Sequence, residues 1–458
     1  MVDPSPLPVL LDALTARSPR RRTVALLHLA AHGPAAGEAA PEVARRFEDE
    51  DATVQWHAMR TFLAIGAGAA AAVPVLREQL DRSFADRMLR ARVLAALAAV
   101  GPAAAAAAPG IAALLSDPQH GGDALQALVR VAPAGEHTFP ALLDALFGSD
   151  YSRFGKAAEA LRAADEALTA RVLEAAAARL AGKDEEARRG AARILRTVAE
   201  LRPNRALALA RPLLDEADPQ LVRPALSALE RLGPAAAEAA PAVAAHLGSA
   251  DARVVESACR ALVALGTPLP SARGPLVELL GGERSPELTG VAAMALATVA
   301  PDAREAVAPL LAFLREQLTT PGRRGWYAGA AVARALGQLG RGAPKVPRAL
   351  ADAMDAAMAR WEAEGSAVRN FLRGALEGLT ALGPEATPAL PALARRLADT
   401  DLREEIVPAL RALRAIEREG GEATGGEGAI DDEGDEGDET AEGALPPLPE
   451  DEDPPPEA

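Results

Sequence analysis

The chain has one cysteine, Cys259, among 458 residues, so no intramolecular disulfide and no thiolate zinc site is available to it. Aromatic residues are almost as scarce, with eight Phe, three Trp and two Tyr, although 49% of the chain is apolar. Any core must therefore be built from Ala, Leu and Val. Runs of β-branched and aromatic residues are missing, which argues against sheets. No stretch of about 18 uninterrupted apolar residues occurs, so no transmembrane helix is expected. The N-terminus, MVDPSPLPVLL, lacks a basic region and carries three prolines, making it a poor signal peptide. A cytoplasmic location is the expectation. Lysine is nearly absent, at 156, 183 and 345 only. With the excess of Ala, Arg, Gly and Pro, this suggests a GC-rich bacterial coding bias.

Acid is present but confined. From Glu419 to Ala458 there are 16 Asp and Glu and no Lys or Arg. Removing that segment from a formal charge of −15 leaves +1 for residues 1–418. With eight Gly and six Pro, residues 419–458 hold too little apolar surface to offset their ordering entropy. They read as a disordered acidic Gly/Pro-rich tail that keeps an Ala-rich body soluble through charge repulsion. The remaining 1–418 read as one continuous folded body.

That body repeats. Gly-Pro pairs close helical patterns at Gly33-Pro34, Gly101-Pro102, Gly233-Pro234 and Gly383-Pro384, and Gly66, Gly266 and Gly340 do so without the proline. A second proline follows eight residues after the glycine at Pro41, Pro74, Pro109, Pro241 and Pro391, and most spacings in the series are 33 to 35 residues. Each unit reads as a helix closed by a glycine in a left-handed conformation, an Ala-rich linker, a proline-started helix, and a polar turn before the next helix. In residues 233–266, Ser249 and Asp251 are placed to cap a helix over 252–265. Asp117-Pro118, Asp218-Pro219 and Ser285-Pro286 each read as a cap followed by a first-turn proline. Counting back from the closing glycine, positions one, four and eight are apolar, for example Ile65, Phe62 and Ala58, with His32 the exception at position one. These positions must face the core. The tenth position varies (Thr23, Trp56, Ala91, Arg223, Glu256, Ala330, Arg373) and reads as solvated. Extended from Pro8 to Leu413, the pattern predicts an all-α solenoid of about twelve helical pairs. Residues 141–210 fit least well, because Tyr151-Ser152-Arg153-Phe154-Gly155 interrupts the pattern as a degenerate repeat or local bend.

The mid-repeat proline, the turn aspartate (Asp51, Asp184, Asp218, Asp251, Asp401) and the Val or Arg that follows (Val54, Arg189, Val222, Val254) resemble the HEAT-repeat family. The resemblance is closest to the short bacterial HEAT-like repeats also found in phycobilin lyases, and it covers roughly residues 8–416. It implies a superhelix with a concave binding surface, used in that family by scaffolds, adaptors and a few enzymes.

Catalysis is not written in the motifs. No GxGxxG after a strand, no GxxxxGK[ST] and no GxSxG occurs. His28 and His32 stand one helical turn apart, but the glutamate of a zincin is absent and no His-Glu dipeptide of the HEAT-like di-iron hydroxylases occurs. Cys259 reads as a small half-buried thiol. No cofactor and no metal is expected. Short arginine clusters, Arg20-Arg21-Arg22 among them, would serve nucleic acid only if they shared one face. The sharpest candidate for a protein contact is Pro321-Gly322-Arg323-Arg324-Gly325-Trp326-Tyr327, a glycine-flanked loop in a unit stretched to 38 residues. It carries residue types enriched at interface hot spots in Arg323, Arg324, Trp326 and Tyr327. The competing reading is that Trp326 staples the helix start to the preceding unit. Trp56 is a second candidate, standing where other units place Arg or Glu, and Trp361 a weaker third. The functional expectation is a non-enzymatic scaffold or adaptor for a protein or peptide partner. The alternatives are a lyase-like enzyme and a nucleic-acid-binding solenoid regulated by its acidic tail.

Overall fold

The structure, a computed structural model, describes residues 7–83, 86–148, 150–281, 284–319 and 323–389. It divides into two compact units, Met1–Leu213 and Leu214–Ala458. The boundary expected at 418/419, the acidic tail, Asp401 and the twelfth helical pair lie outside the described residues.

The first unit stacks helical pairs. They are α1 (Leu7–Leu14) with α2 (Pro19–His32), α3 (Ala40–Arg45) with α4 (Ala52–Ile65), α5 (Val73–Arg82) with α6 (Arg87–Val100), α7 (Ala108–Ala112) with α8 (Gly121–Val131), and α9 (Thr138–Phe147) with α10 (Tyr151–Arg162). Next come α11 (Glu166–Leu180) with the broken α12 (Glu185–Ala192) and α13 (Leu195–Leu201), and then α14 (Pro203–Ala210). The second unit runs from α15 (Pro219–Leu232) through α16 (Ala240–Ala244) with α17 (Ala252–Leu265), α18 (Arg273–Leu279) with α19 (Pro286–Val299), α20 (Val307–Thr319) with α21 (Arg323–Leu339), and α22 (Lys345–Met358) with α23 (Trp361–Leu382). The second helices of successive pairs pack on one another, α2 on α4, α4 on α6, and in the other unit α15 on α17 through to α23. Among the described residues there is no strand. The fold is an all-α solenoid.

Local chemistry accounts for the elements. Asp51, Asp184, Asp218 and Asp251 each accept a hydrogen bond from the backbone N–H two residues on, which starts α4, α12, α15 and α17. Asp117 differs: its carboxylate accepts from the N–H groups of Gln119 and His120 in a turn, and α8 starts only at Gly121. The closing glycines have positive φ at Gly33, Gly66, Gly101, Gly233, Gly266 and Gly383. Only Gly266 is left-handed (φ 65°, ψ 18°); the other five have ψ between −127° and −141°, a conformation open to glycine alone. That geometry leads the chain directly into two successive 3-10 turns, such as Gly66–Ala72 kinked at Ala69 or Gly233–Ala239 kinked at Ala236, where the sequence suggested a linker. The third and sixth residues after the glycine are both buried alanines, such as Ala69 and Ala72. At the end of α21 the positive φ is carried by Gly342 rather than Gly340.

The core lies along the positions the repeat specifies. Four and eight residues before the glycine every side chain is buried, from Leu29 and Ala25 to Leu379 and Ala375. One residue before it the side chains are buried except His32 and Leu232, which are half-buried. The tenth position is solvated at Trp56, Arg223 and Arg373 but buried at Ala330. There α21 and α23 meet through glycines: a Cβ on Gly374 would stand 2.8 Å from the Ala330 Cα, and one on Gly378 2.3 Å from the Ala333 carbonyl oxygen. The stretch Tyr151–Gly155 does not interrupt the helical order; it opens α10.

By length and mean hydropathy two helical stretches, Ala52–Arg82 and Arg87–Ala112, are apolar enough to cross a membrane, contrary to the expectation from unbroken runs. Each is broken at Gly66 or Gly101, where a 3-10 segment separates two shorter α-helices, and is not one straight span.

Candidate functional site

The three consecutive second helices α2, α4 and α6 share an unusual outer face. On a helix of 3.6 residues per turn, positions 3, 6, 10 and 13 before the closing glycine fall within an arc of about 80°, opposite the core positions. That arc holds Leu27 on α2, Trp56 and Leu63 on α4, and Met88 on α6, all exposed, with Val24 at its margin. Trp56 is 53% exposed and Met88 62%. Single exposed apolar residues need no explanation, but a group of them on adjoining helices does.

Trp56 stands upright by local contacts. The Arg60 guanidinium carbon lies 4.7 Å from its ring centroid, one helical turn on, and the His57 ring meets it edge-on at 4.6 Å. Beneath it, Phe47 and Phe62 pack edge to face at 5.5 Å and fix α4 on the core. The anchor is held before any partner arrives, which lowers the entropy cost of using it.

The electrostatics of the face are one-sided. Neither α2, α4 nor α6 contains an Asp or Glu. Arg20, Arg21, Arg60 and Arg87 are exposed on them. Arg22 and Arg90 are turned inward instead. Arg22 bonds the buried Asp49 at 2.7 Å and the carbonyls of Ala16 and Arg17, and its pKa is raised chiefly by that bond to Asp49. Arg90 makes the matching bond to Asp117 at 3.0 Å, so two rungs of an arginine–aspartate ladder tie consecutive pairs together. Acids stand at the helix starts, where Asp51 and Asp86 cap α4 and α6 and the exposed Glu50 reaches Arg22 of α2 at 3.3 Å. Backbone N–H donation from Val54 holds the Asp51 carboxyl below its usual range. On the next second helix, α8, an acid reappears in Asp123, paired with Lys156 at 3.4 Å. The acid-free face therefore ends there.

The remaining candidates are placed differently. Arg323–Tyr327 is the first turn of α21, not a loop, and the side chains of Arg323, Arg324 and Trp361 lie outside the described residues. Trp326 is 2% exposed and tilts against Phe371 of α23 at 5.5 Å, so it anchors its helix to the following pair and offers no surface to a partner. Gly329, whose Cβ would stand 3.2 Å from the Phe371 ring, leaves that ring its space. Tyr327 is 48% exposed, thirteen residues before Gly340, the register that Met88 occupies in the other unit. Leu27, Leu63, Met88, Arg60 and Arg87 were missed by a reading centred on aromatic residues. The signal was there as a helix-by-helix absence of acids.

Among the described residues, the groups that could supply catalysis stand apart. His28 and His32 are half-buried, and among the described residues no three His, Cys, Asp or Glu side chains gather. Cys259 is fully buried, more deeply than expected, and desolvation pushes its thiol up to about 12. A cleft of about 300 Å³ in the second unit is lined by Glu216, His246 and Ser249. There His246 Nε2 lies 2.9 Å from the Leu214 carbonyl, and the Ser249 hydroxyl accepts from the Asp251 N–H, so the two are not paired as base and nucleophile.

No family model and no curated protein matches the chain. Solved structures do. The crystal structure of Kap121p aligns with a TM-score of 0.53 at 17% identity, over 85% of this chain and 47% of that one. The karyopherin Kap121p bound to the SUMO protease Ulp1p aligns with a TM-score of 0.55 at 17% identity, over 86% and 48%. The chain spans about half the length of these structures. At this identity the likeness is one of fold, a HEAT-like α-solenoid.

Proposed function

We propose that the protein is a non-enzymatic, cytoplasmic scaffold or adaptor that binds a protein or peptide partner on the face made by α2, α4 and α6. In a HEAT-like superhelix the second helices line the concave surface, which gives a partner a long tract of successive rungs. The observation that carries the reading is Trp56, half exposed and braced by Arg60 and His57, among Leu27, Leu63 and Met88. Trp and Arg with an apolar surround is the composition of an interface hot spot. The Kap121p structures with bound proteins, among them Ulp1p, supply precedent for this fold as a holder of other chains. Tyr327, with Arg323 and Arg324 preceding it on α21, is proposed as a second contact, in the other unit. The phycobilin-lyase reading rests on repeat resemblance alone, without a residue to carry the chemistry.

The test is recovery of partners from cell lysate on immobilised full-length protein, with half of each sample treated with nuclease. Wild type is compared with Trp56→Ala/Leu63→Ser and with Tyr327→Ala. A protein recovered after nuclease and lost with Trp56→Ala/Leu63→Ser supports the scaffold reading and its site. Recovery of nucleic acid alone, or equal recovery by all three proteins, refutes the site.

A further inference from the structure

Resting on that reading, we infer the chemistry of the occupant: an acidic segment of a partner protein that carries at least one bulky apolar side chain. Three observations support it. The face is free of carboxylates across three consecutive helices, so an acidic segment meets no like charge there, whereas a basic one meets Arg20, Arg21, Arg60 and Arg87. Its centre is aliphatic and aromatic, which gives an apolar anchor somewhere to be buried and gives a phosphate backbone nothing. Finally, the Arg60–Trp56 pair couples the two demands. A carboxylate on Arg60 places the neighbouring side chain of the partner over the exposed part of the indole. Arg22 and Arg90 add no free charge, since each is committed to an aspartate.

Nucleic acid fits less well. Affinity for a duplex grows with the number of phosphates neutralised, and four exposed arginines, Arg20, Arg21, Arg60 and Arg87, stand on these helices among a larger aliphatic and aromatic surface. The chain's own segment 419–458 has the charge, but it has no aromatic residue, and its bulky apolar residues are only Ile430, Leu445 and Leu448. A separate partner is therefore the occupant the surface favours.

The experiment is selection of a displayed library of random 16-residue peptides on immobilised full-length protein, in parallel with the surface variant Trp56→Ala/Arg60→Ala. Melting of the variant is checked against wild type. The expected result is enrichment of peptides with net negative charge and a bulky apolar residue. Synthesised singly, they should bind the variant about 30-fold more weakly than wild type, the loss expected of a hot-spot truncation. Their binding should also weaken as salt is raised from 50 to 300 mM. Enriched peptides that are neutral or basic, yet still lost in the variant, overturn the acidic chemistry and leave the scaffold reading standing. Peptides indifferent to the variant, or no enrichment, overturn both the chemistry and the site. Two labelled probes complete the test: a 20-base-pair duplex and a peptide of residues 419–458. Tighter, variant-sensitive binding of either than of any selected peptide overturns the partner segment in favour of nucleic acid or of the chain's own tail.

Discussion

The Arg22–Asp49 pair joins the first two helical pairs, and its removal tests whether buried polar rungs hold the first unit together. Both side chains are almost inaccessible, at 5% and 2%. Replacing Asp49 by Ala leaves the guanidinium buried with the carbonyls of Ala16 and Arg17 at 2.8 and 3.0 Å and no buried counter-charge. Glu50, at 3.3 Å, is 81% exposed and screened by water, so it is a poor substitute. The Asp51 N–H also loses its 3.1 Å bond to Asp49. Breaking a buried pair by removing one partner costs about 3–5 kcal/mol. In a unit of this size each kcal/mol is worth roughly 2–4 °C, so a fall of about 6–20 °C is expected in the melting of the first unit, read by calorimetry on the full chain. Arg22→Leu/Asp49→Leu should recover part of the loss, because no buried guanidinium is then stranded, and Arg46, which also reaches Asp49 at 3.5 Å, keeps Glu42 at 2.8 Å. Asp117→Ala removes the second rung, where the carboxylate is 23% exposed, and should cost less. A loss under about 1 kcal/mol for Asp49→Ala, or single effects that simply add in the double variant, would refute the argument.

Other outcomes follow from burial and packing. Trp326→Ala should lower stability by about 3–5 kcal/mol in denaturant titration, as expected of a fully buried aromatic, and leave partner recovery unchanged wherever the protein remains folded. Gly378→Ala gains helix propensity but drives a Cβ to 2.3 Å from the Ala333 carbonyl oxygen, so a net loss of about 1–3 kcal/mol is expected. Gly155→Ala on α10, with open space around it, should instead stabilise by about 0.5–1 kcal/mol; a gain for Gly378→Ala as well would show that the α21–α23 contact is not tight. Cys259 should resist maleimide labelling at pH 8 in the native protein and react at once in denaturant, since its thiol is buried and held near 12.

The repeat, the helix ends and the core positions were legible because they rest on chemistry that acts within a few residues. An aspartate at the helix start accepts from an N–H two or three residues on, glycine alone takes the closing conformation, and a period of 3.6 sends the positions four and eight before it inward. Asp251 with α17 over 252–265 is such a case, read correctly to the residue. What a side chain meets beyond its own helix was not legible. Trp326 carries the composition of a hot spot, and only the approach of Phe371 from α23 removes it from the surface. Ala330 holds a solvated register and is covered by Gly374 for the same reason. Trp56 was visible as an oddity in one helix. Its company, Leu27 on α2, Leu63 on its own helix, Met88 on α6 and no carboxylate across all three, emerged only when these helices were laid side by side. Sequence determines each helix's register, because register depends on near neighbours in the chain. Tertiary packing determines which registers are covered and which join into a surface, because that depends on residues about 30 to 45 positions away.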